Sequence, residues 1–308
     1  MLTQIRRAIA QLNPDEINAR AQRPLRILLQ TDSTASAEAV ESCLFGRALG
    51  PVRLQEARAT LQREEDAAEG SRFHLIFFES GLEAPPDWRV GYDAFAFHPA
   101  QPERLVDDLL TARPELGLAL ARRFDPFYNR VTQDIIRRVS GENAMFAILS
   151  ALPDVIPSLA EIPWAIGEFA SDTTVLTVNQ IRMAFQLAAA GDHVAGYAEQ
   201  RSEIGGIVAG AFGWRSLARE FAGKIPFGGG LIPKAAIAYA GTWVAGASLE
   251  RLYHLGYGLS RPERRRIWDE AFAKGREVAA QLVARVRRPK NEKPEPVEAP
   301  LPTEEMKT

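Results

Sequence analysis

The sequence predicts an α+β fold in which a small α/β domain precedes an all-α helical domain. Three observations support this prediction. Short apolar runs alternate with helical patterns up to residue 113, and every periodic segment from Pro114 onward has helical spacing. A glycine-rich apolar stretch over 204–250 further predicts that the helical domain contains a helical hairpin.

Length and composition limit the classes of protein to which this chain can belong. A chain of 308 residues suggests about two domains. Its net charge of −2 and pI near 6.2 predict no nucleic-acid partner. Cys43 is the single cysteine, which excludes an internal disulfide and fits a reducing compartment. The first residues lack the apolar run of a secretory signal, so we expect a location in the cytoplasm or on the cytoplasmic side of a membrane.

The first elements are an arm and a strand-turn-helix unit. Residues 1–23 predict an N-terminal helical arm that is broken near Pro14. The apolar run 26–30 predicts a strand, because it has strand length and leads into a turn rich in capping side chains. A helix follows and ends near Leu44.

Two more strands and a helix complete the predicted α/β domain, 24–113. The apolar run 73–78 is the clearest buried strand, 94–97 is a weaker one, and 101–112 has helical spacing. Strands that alternate with helices predict a small, mostly parallel sheet.

The predicted helical domain, 114–288, begins with a long helix from Glu115 to about Ser140, bent at Pro126. Its later segments are the apolar stretches 143–170, 173–190 and 204–250 and the charged amphipathic helix 261–288, whose apolar face contains Ile267, Phe272, Val278, Leu282 and Val286. The Pro-, Glu- and Lys-rich end, 289–308, predicts a disordered tail.

The strand-turn-helix unit lacks the chemistry of a nucleotide site. A P-loop needs several glycines and a lysine, but residues 30–36 contain neither, and the first lysine of the chain is Lys224. Asp32 would also place negative charge where phosphates sit. We therefore expect no nucleotide-binding residues and no GTP hydrolysis in this domain.

The sequence gives no support to a metal site, a hydrolase site or a catalytic cysteine. The four histidines lack the spacing of a metal site, and no Gly-x-Ser-x-Gly elbow is present. Cys43 lies beside Leu44 and Phe45, which favours a buried structural thiol over a nucleophile. The sequence therefore predicts a protein that is not an enzyme and that has no metal or cofactor.

The glycine-rich region predicts close helix packing. Glycine costs about 1 kcal/mol in a helix interior, so its repeated use needs a compensating contact. Gly206 and Gly210 have small-xxx-small spacing, and Gly241 repeats that spacing with Ala245. The remaining residues assigned to this packing or membrane hairpin are Gly213, Trp243 and the turn glycines Gly228, Gly229 and Gly230.

Whether the hairpin contacts lipid or a protein core stays open at the level of sequence. Its arms carry more charge than a spanning helix tolerates, which favours a buried soluble core, whereas the arginine clusters could attract anionic headgroups. Solvated helix faces are the alternative role for these clusters, which are Arg137, Arg138, Arg264, Arg265 and Arg266.

Four motifs carry a resemblance to a known family. They are Thr177 to Arg182, Gly206 to Trp214, Lys224 to Gly229 and Ala238 to Trp243, within residues 140–260. This region resembles the bacterial domain of unknown function 697, found in YcjF-like inner-membrane proteins and behind some Era-like GTPase domains. The resemblance implies membrane association through helical hairpins and coupling to a GTP-binding domain. The α/β domain is then expected to be a degenerate G-like or Rossmann-like unit.

Three functions are compatible with these features. The leading hypothesis is a non-enzymatic, membrane-associated scaffold whose α/β domain binds a protein partner, with a GTPase as one candidate. A soluble cytosolic helical adaptor is the second hypothesis. The third is a regulator that retains a residual nucleotide-binding site within 24–112.

Overall fold

The computed structural model describes residues 10–46, 50–84, 86–151, 172–210 and 230–287. Predictions for the first part of the arm, for residues 152–170, for Gly213, Gly228 and Gly229, and for the tail 289–308 concern residues outside these ranges.

The α/β half contains a four-stranded parallel sheet with the order β2-β1-β3-β4. The strands are β1 (Ile27–Gln30), β2 (Leu61–Arg63), β3 (Leu75–Glu79) and β4 (Ala94–Phe97). The predicted strands 26–30, 73–78 and 94–97 are confirmed, as is the parallel sheet. Sequence analysis missed β2, because this three-residue edge strand buries only Leu61 and has no apolar alternation.

Helices pack against this sheet. They are α2 (Thr34–Phe45), α3 (Pro51–Thr60) and α4 (Glu103–Ala112), of which α3 was not predicted. Helix α2 begins after Ser33, whose side chain accepts a hydrogen bond from the Ser36 amide at 3.2 Å, as expected for an N-cap. Phe77 and Phe95 on the sheet and Leu105 on α4 are fully or almost fully buried in this core.

The prediction of one bent helix from Glu115 to Ser140 is wrong. The chain forms a 3₁₀ turn (Pro114–Leu116), a short helix α5 (Gly117–Ala121) and a separate long helix α6 (Asp125–Leu149). Pro126 lies in the first turn of α6, where its missing N–H costs nothing, so it starts a helix instead of bending one. Phe124 precedes α6 in extended conformation and is fully buried in the sheet core.

The remaining helices form a second core. They are the arm helix α1 (Pro14–Ala21), α7 (Asp172–Ala190), α8 (201–210), α9 (Leu231–Leu255) and α10 (Arg261–Arg287). Helix α7 ends at Ala190, where the predicted stretch 173–190 ends, and Asp192 shortly after it has a positive φ of 66°. Side chains of α1, α6, α7, α8 and α9 share one apolar cluster.

Polar side chains are buried between α6, α7 and α9. The Asn143 amide donates to the Thr242 hydroxyl at 2.8 Å, and the Asn179 amide donates to the Asn143 side-chain oxygen at 2.7 Å. Gln180 also donates to the Thr242 hydroxyl, at 3.2 Å. We call these four residues the amide layer, since each is buried and hydrogen-bonded to another.

Candidate functional site

The carboxyl edge of the sheet is the first place to search for a site. Strand β2 lies on one side of β1 and β3 lies on the other, so the chain runs from β1 to β2 in one direction and from β2 to β3 back across β1. This reversal marks a topological switch point at the carboxyl ends of β1 and β3. Asp32 follows β1 and Glu79 ends β3. The sheet therefore brings two carboxylates together at the point where this fold commonly binds ligands.

Hydrogen bonds hold these carboxylates at the start of α2. The Ser36 hydroxyl lies 3.0 Å from an oxygen of Asp32 and 3.0 Å from an oxygen of Glu79. The Asp32 amide donates to Glu79 at 3.2 Å. Hydrogen bonds from Ser33, then from Ser36, lower the pKa of Asp32, so the carboxylate is the favoured form. Two negative charges at this edge oppose phosphate binding. The sequence predicted this effect for Asp32 but did not indicate that Glu79 lies beside it.

A neighbouring cavity of about 370 Å³ between β1 and β2 is equally unsuited to anions. Its arginine, Arg63, pairs with Glu41 at 2.7 Å and lies 3.6 Å from Glu65. Within the described ranges, no group of three or more His, Cys, Asp or Glu side chains could hold a metal ion. Burial, followed by the charge of Glu103, raises the pKa of Cys43, which makes its reactive thiolate scarcer.

A larger groove lies in the helical half. It has a volume of about 860 Å³ and is lined mainly by α8, α9 and α10. Six of the residues singled out by sequence meet there, namely Gly206, Gly210, Gly241, Ala245, Arg264 and Arg265. The groove therefore joins the predicted glycine pairs to one predicted basic cluster.

The glycines of this groove do not all serve close packing. A Cβ atom built on Gly206 would meet no atom within 4 Å, so the close contact predicted at Gly206 is not found among the described residues. Close contacts occur instead at Gly246, where a Cβ would lie 2.8 Å from Ile136 Cγ1, and at Gly275, where it would lie 3.0 Å from the Ala236 carbonyl oxygen. Gly206 instead leaves space in the groove wall.

The position of the arginine cluster is fixed by the start of α10. Ser260 and Glu263 form a reciprocal cap, in which the Ser260 amide donates to Glu263 at 2.9 Å. Hydrogen bonds from Ser260, then from Arg251, lower the pKa of Glu263 to about 2. Arg264, Arg265 and Arg266 follow directly, are exposed, and form no ion pair with another described residue.

Apolar side chains are exposed near the same end of α9. The structure describes seven exposed large hydrophobic side chains. Four of them lie in the loop after α7 or at the end of α9 and in the loop that follows it, namely Val194, Tyr197, Leu255 and Tyr257. The loop after α7 meets the last turns of α9, where His193 Nε2 lies 3.1 Å from the Tyr253 carbonyl oxygen. We call Val194, Leu255, Tyr257 and Arg264 to Arg266 the docking face.

The other predicted residues lie elsewhere. Trp243 is half-buried on α9 and stacks on Tyr239, with ring centres 5.7 Å apart. Gly230 caps the start of α9 with an ordinary φ of −61°. Arg137 and Arg138 lie on α6 and line a different cavity from that of Arg264 and Arg265.

No helix among the described residues is both long enough and apolar enough to cross a membrane. Comparisons of the chain with protein-family models, curated proteins and solved structures find no match. The resemblance drawn from residues 140–260 therefore stays a prediction.

Proposed function

We propose that this protein is a non-enzymatic, membrane-associated scaffold that docks on the cytoplasmic face of an anionic membrane. The observation that carries the proposal is the docking face. Leu255 and Tyr257 are exposed at the end of α9, and Arg251 links the Tyr257 ring to Glu263 at the start of α10. Three exposed arginines that no described carboxylate pairs with follow Glu263 directly. Each basic residue near an anionic surface contributes about 1 kcal/mol, and exposed Leu and Tyr side chains add apolar and interfacial contact. Such binding is peripheral and needs no spanning helix.

The α/β half would hold the protein partner, for which a GTPase is one candidate. Tyr92 is exposed before edge strand β4, and its ring lies between the guanidinium groups of Arg89 and Arg113, at 4.2 Å and 4.5 Å. Val90 is exposed beside it. Aromatic and arginine side chains are enriched at protein interfaces, and the two cations hold the Tyr92 ring in place.

A soluble helical adaptor is the second candidate, and one observation favours it. Glu203 and Asp269 line the groove together with Arg264 and Arg265, so the charges of its lining residues balance. A balanced rim around an apolar floor suits an amphipathic helix of another protein. The acidic carboxyl edge of the sheet gives no comparable support to a nucleotide-binding regulator.

Vesicle flotation with the full chain tests the membrane proposal. We expect the protein to float with vesicles that contain about 30% phosphatidylglycerol and not with pure phosphatidylcholine vesicles. The double variant Arg264→Glu, Arg265→Glu should lose this binding. The matched control is Arg276→Glu, Arg285→Glu, which makes the same charge change at exposed positions of the same helix.

Two results would contradict the proposal. One is that the unaltered protein stays unbound with both kinds of vesicle, which would leave the soluble adaptor. The other is an equal loss of binding in the two double variants, because a general charge effect would then explain the binding without the docking face.

A further inference from the structure

A third cavity lies at the junction of the sheet half and the helical half. This junction cleft has a volume of about 370 Å³ and lies between α1, α4, α5, α6 and α7. Its apolar lining includes Leu118, Val131 and Ile135, and its charged lining consists of Arg20, Arg137, Arg138 and Asp134. None of its lining residues also lines the groove beside α10.

The positive charge of the junction cleft is incompletely balanced. Asp134 is the one carboxylate among its lining residues, and it also pairs with Arg130, outside the cleft. Arg20 is exposed and forms no ion pair with another described residue. Three arginines and one carboxylate leave the lining with a charge of +2.

Arg138 is the most crowded of these cations. Its nearest carboxylate is Glu142 at 3.9 Å, and Glu142 is closer to Arg182. Its guanidinium donates to the neutral amide oxygen of Gln186 at 3.2 Å. Partial burial lowers the pKa of Arg138, although 55% of its side chain stays exposed. Glu142 raises this pKa, the charges of Arg182 and Arg20 lower it, and Asp134 raises it. A bound anion would relieve this repulsion.

We propose that the junction cleft binds an organic phosphate monoester, whose phosphate is held by Arg20, Arg137 and Arg138 and whose apolar part lies on Val131 and Ile135. A phosphate monoester carries a charge near −2 at neutral pH, which matches the charge of the lining. Guanidinium groups also bind phosphate oxygens in pairs. The volume is at the small end of ligand pockets, so the apolar part is small or only partly enclosed.

Such a ligand would connect two helices of the helical half next to the sheet half. Arg20 belongs to α1 and Arg138 to α6, and the apolar lining adds Leu110 of α4. The phosphate could belong to a soluble metabolite or to the headgroup of phosphatidate. This site does not rest on the proposed docking face, because its residues are different.

Isothermal titration calorimetry on the full chain tests the site with phenyl phosphate, and with benzoate as the carboxylate of similar shape. We expect phenyl phosphate to bind with a Kd of about 1 mM or lower, about tenfold tighter than benzoate. Arg20→Gln and Arg138→Gln should each weaken binding about tenfold, while Arg276→Gln should not. A second experiment measures binding to vesicles that contain phosphatidate. Binding that requires Arg20 in either experiment supports the site, and the experiment in which it occurs shows whether the phosphate belongs to a soluble compound or to a lipid headgroup.

Gln186→Glu separates ligand binding from folding. The new carboxylate would lie beside Arg138, so it should pair with that cation, keep or raise the melting temperature, and weaken phenyl phosphate binding about tenfold. Unchanged binding in Gln186→Glu would overturn the proposal. So would equal affinity for benzoate and phenyl phosphate, or the absence of Arg20-dependent binding in both arms.

Discussion

The sheet core and the helical core of this molecule are packed with different side chains. Around the sheet, large aromatic residues such as Phe77, Phe124 and Phe127 fill the interior. Between α6, α7, α9 and α10, Gly246 and Gly275 leave no room for a Cβ atom, and the buried amide layer lies between α6, α7 and α9. The first core depends on apolar volume, whereas the second depends on close backbone approach and satisfied hydrogen bonds.

The largest loss of stability is expected for a substitution in the sheet core. Phe77→Ala should lower the free energy of unfolding by about 3–5 kcal/mol, because Phe77 is fully buried and the surrounding core can only partly collapse. Urea denaturation followed by circular dichroism measures the change. Phe77→Leu is the control and should cost less, since it keeps most of the apolar volume. Equal losses in the two variants would show that volume is not what Phe77 contributes.

The same distinction explains what could be predicted from sequence. The runs 26–30 and 73–78 were correctly assigned, because large apolar residues produce a visible pattern. On α10, the predicted face of large residues is only half-buried at Phe272, Val278 and Leu282, while Ala271, Gly275 and Ala279 are buried against α9. Their small-xxx-small spacing was the available signal, and the charged residues around them concealed it.

The candidate site was predictable in part for the same reason. Arg264 and Arg265 stand out as a cluster, and the glycines of the groove stand out by composition. The junction cleft does not stand out in the sequence, because Arg20 and Arg138 are 118 positions apart and the packing of α1 on α5 and α7 brings them together. Glu79 was missed similarly, since its proximity to Asp32 depends on the pairing of β1 with β3.

A second prediction tests the amide layer. Asn143→Ala should lower the free energy of unfolding by about 2–3 kcal/mol, because it leaves the buried Asn179 amide without its partner and removes a donor to Thr242. Asn129→Ala is the matched control, since Asn129 is an exposed asparagine on the same helix. Urea denaturation of the two variants provides the comparison. Near-equal stability of both would mean that the amide layer is replaceable by simple apolar packing.

The smallest expected effect compares the same substitution at two helical glycines. Alanine should lower the stability of the protein at one glycine and raise it at the other. At Gly275 an alanine Cβ would lie 3.0 Å from the Ala236 carbonyl oxygen and 3.2 Å from the Ala236 Cα, so α10 must move away from α9. We expect Gly275→Ala to destabilise the protein by about 1–3 kcal/mol, since backbone atoms cannot rotate aside as a side chain can. At Gly206 the same Cβ meets open space, and the helix gains the preference of alanine over glycine, about 1 kcal/mol. Melting temperatures measured side by side should therefore move in opposite directions, and a shift of the same sign in both variants would show that helix propensity, not the contact between α9 and α10, decides the outcome.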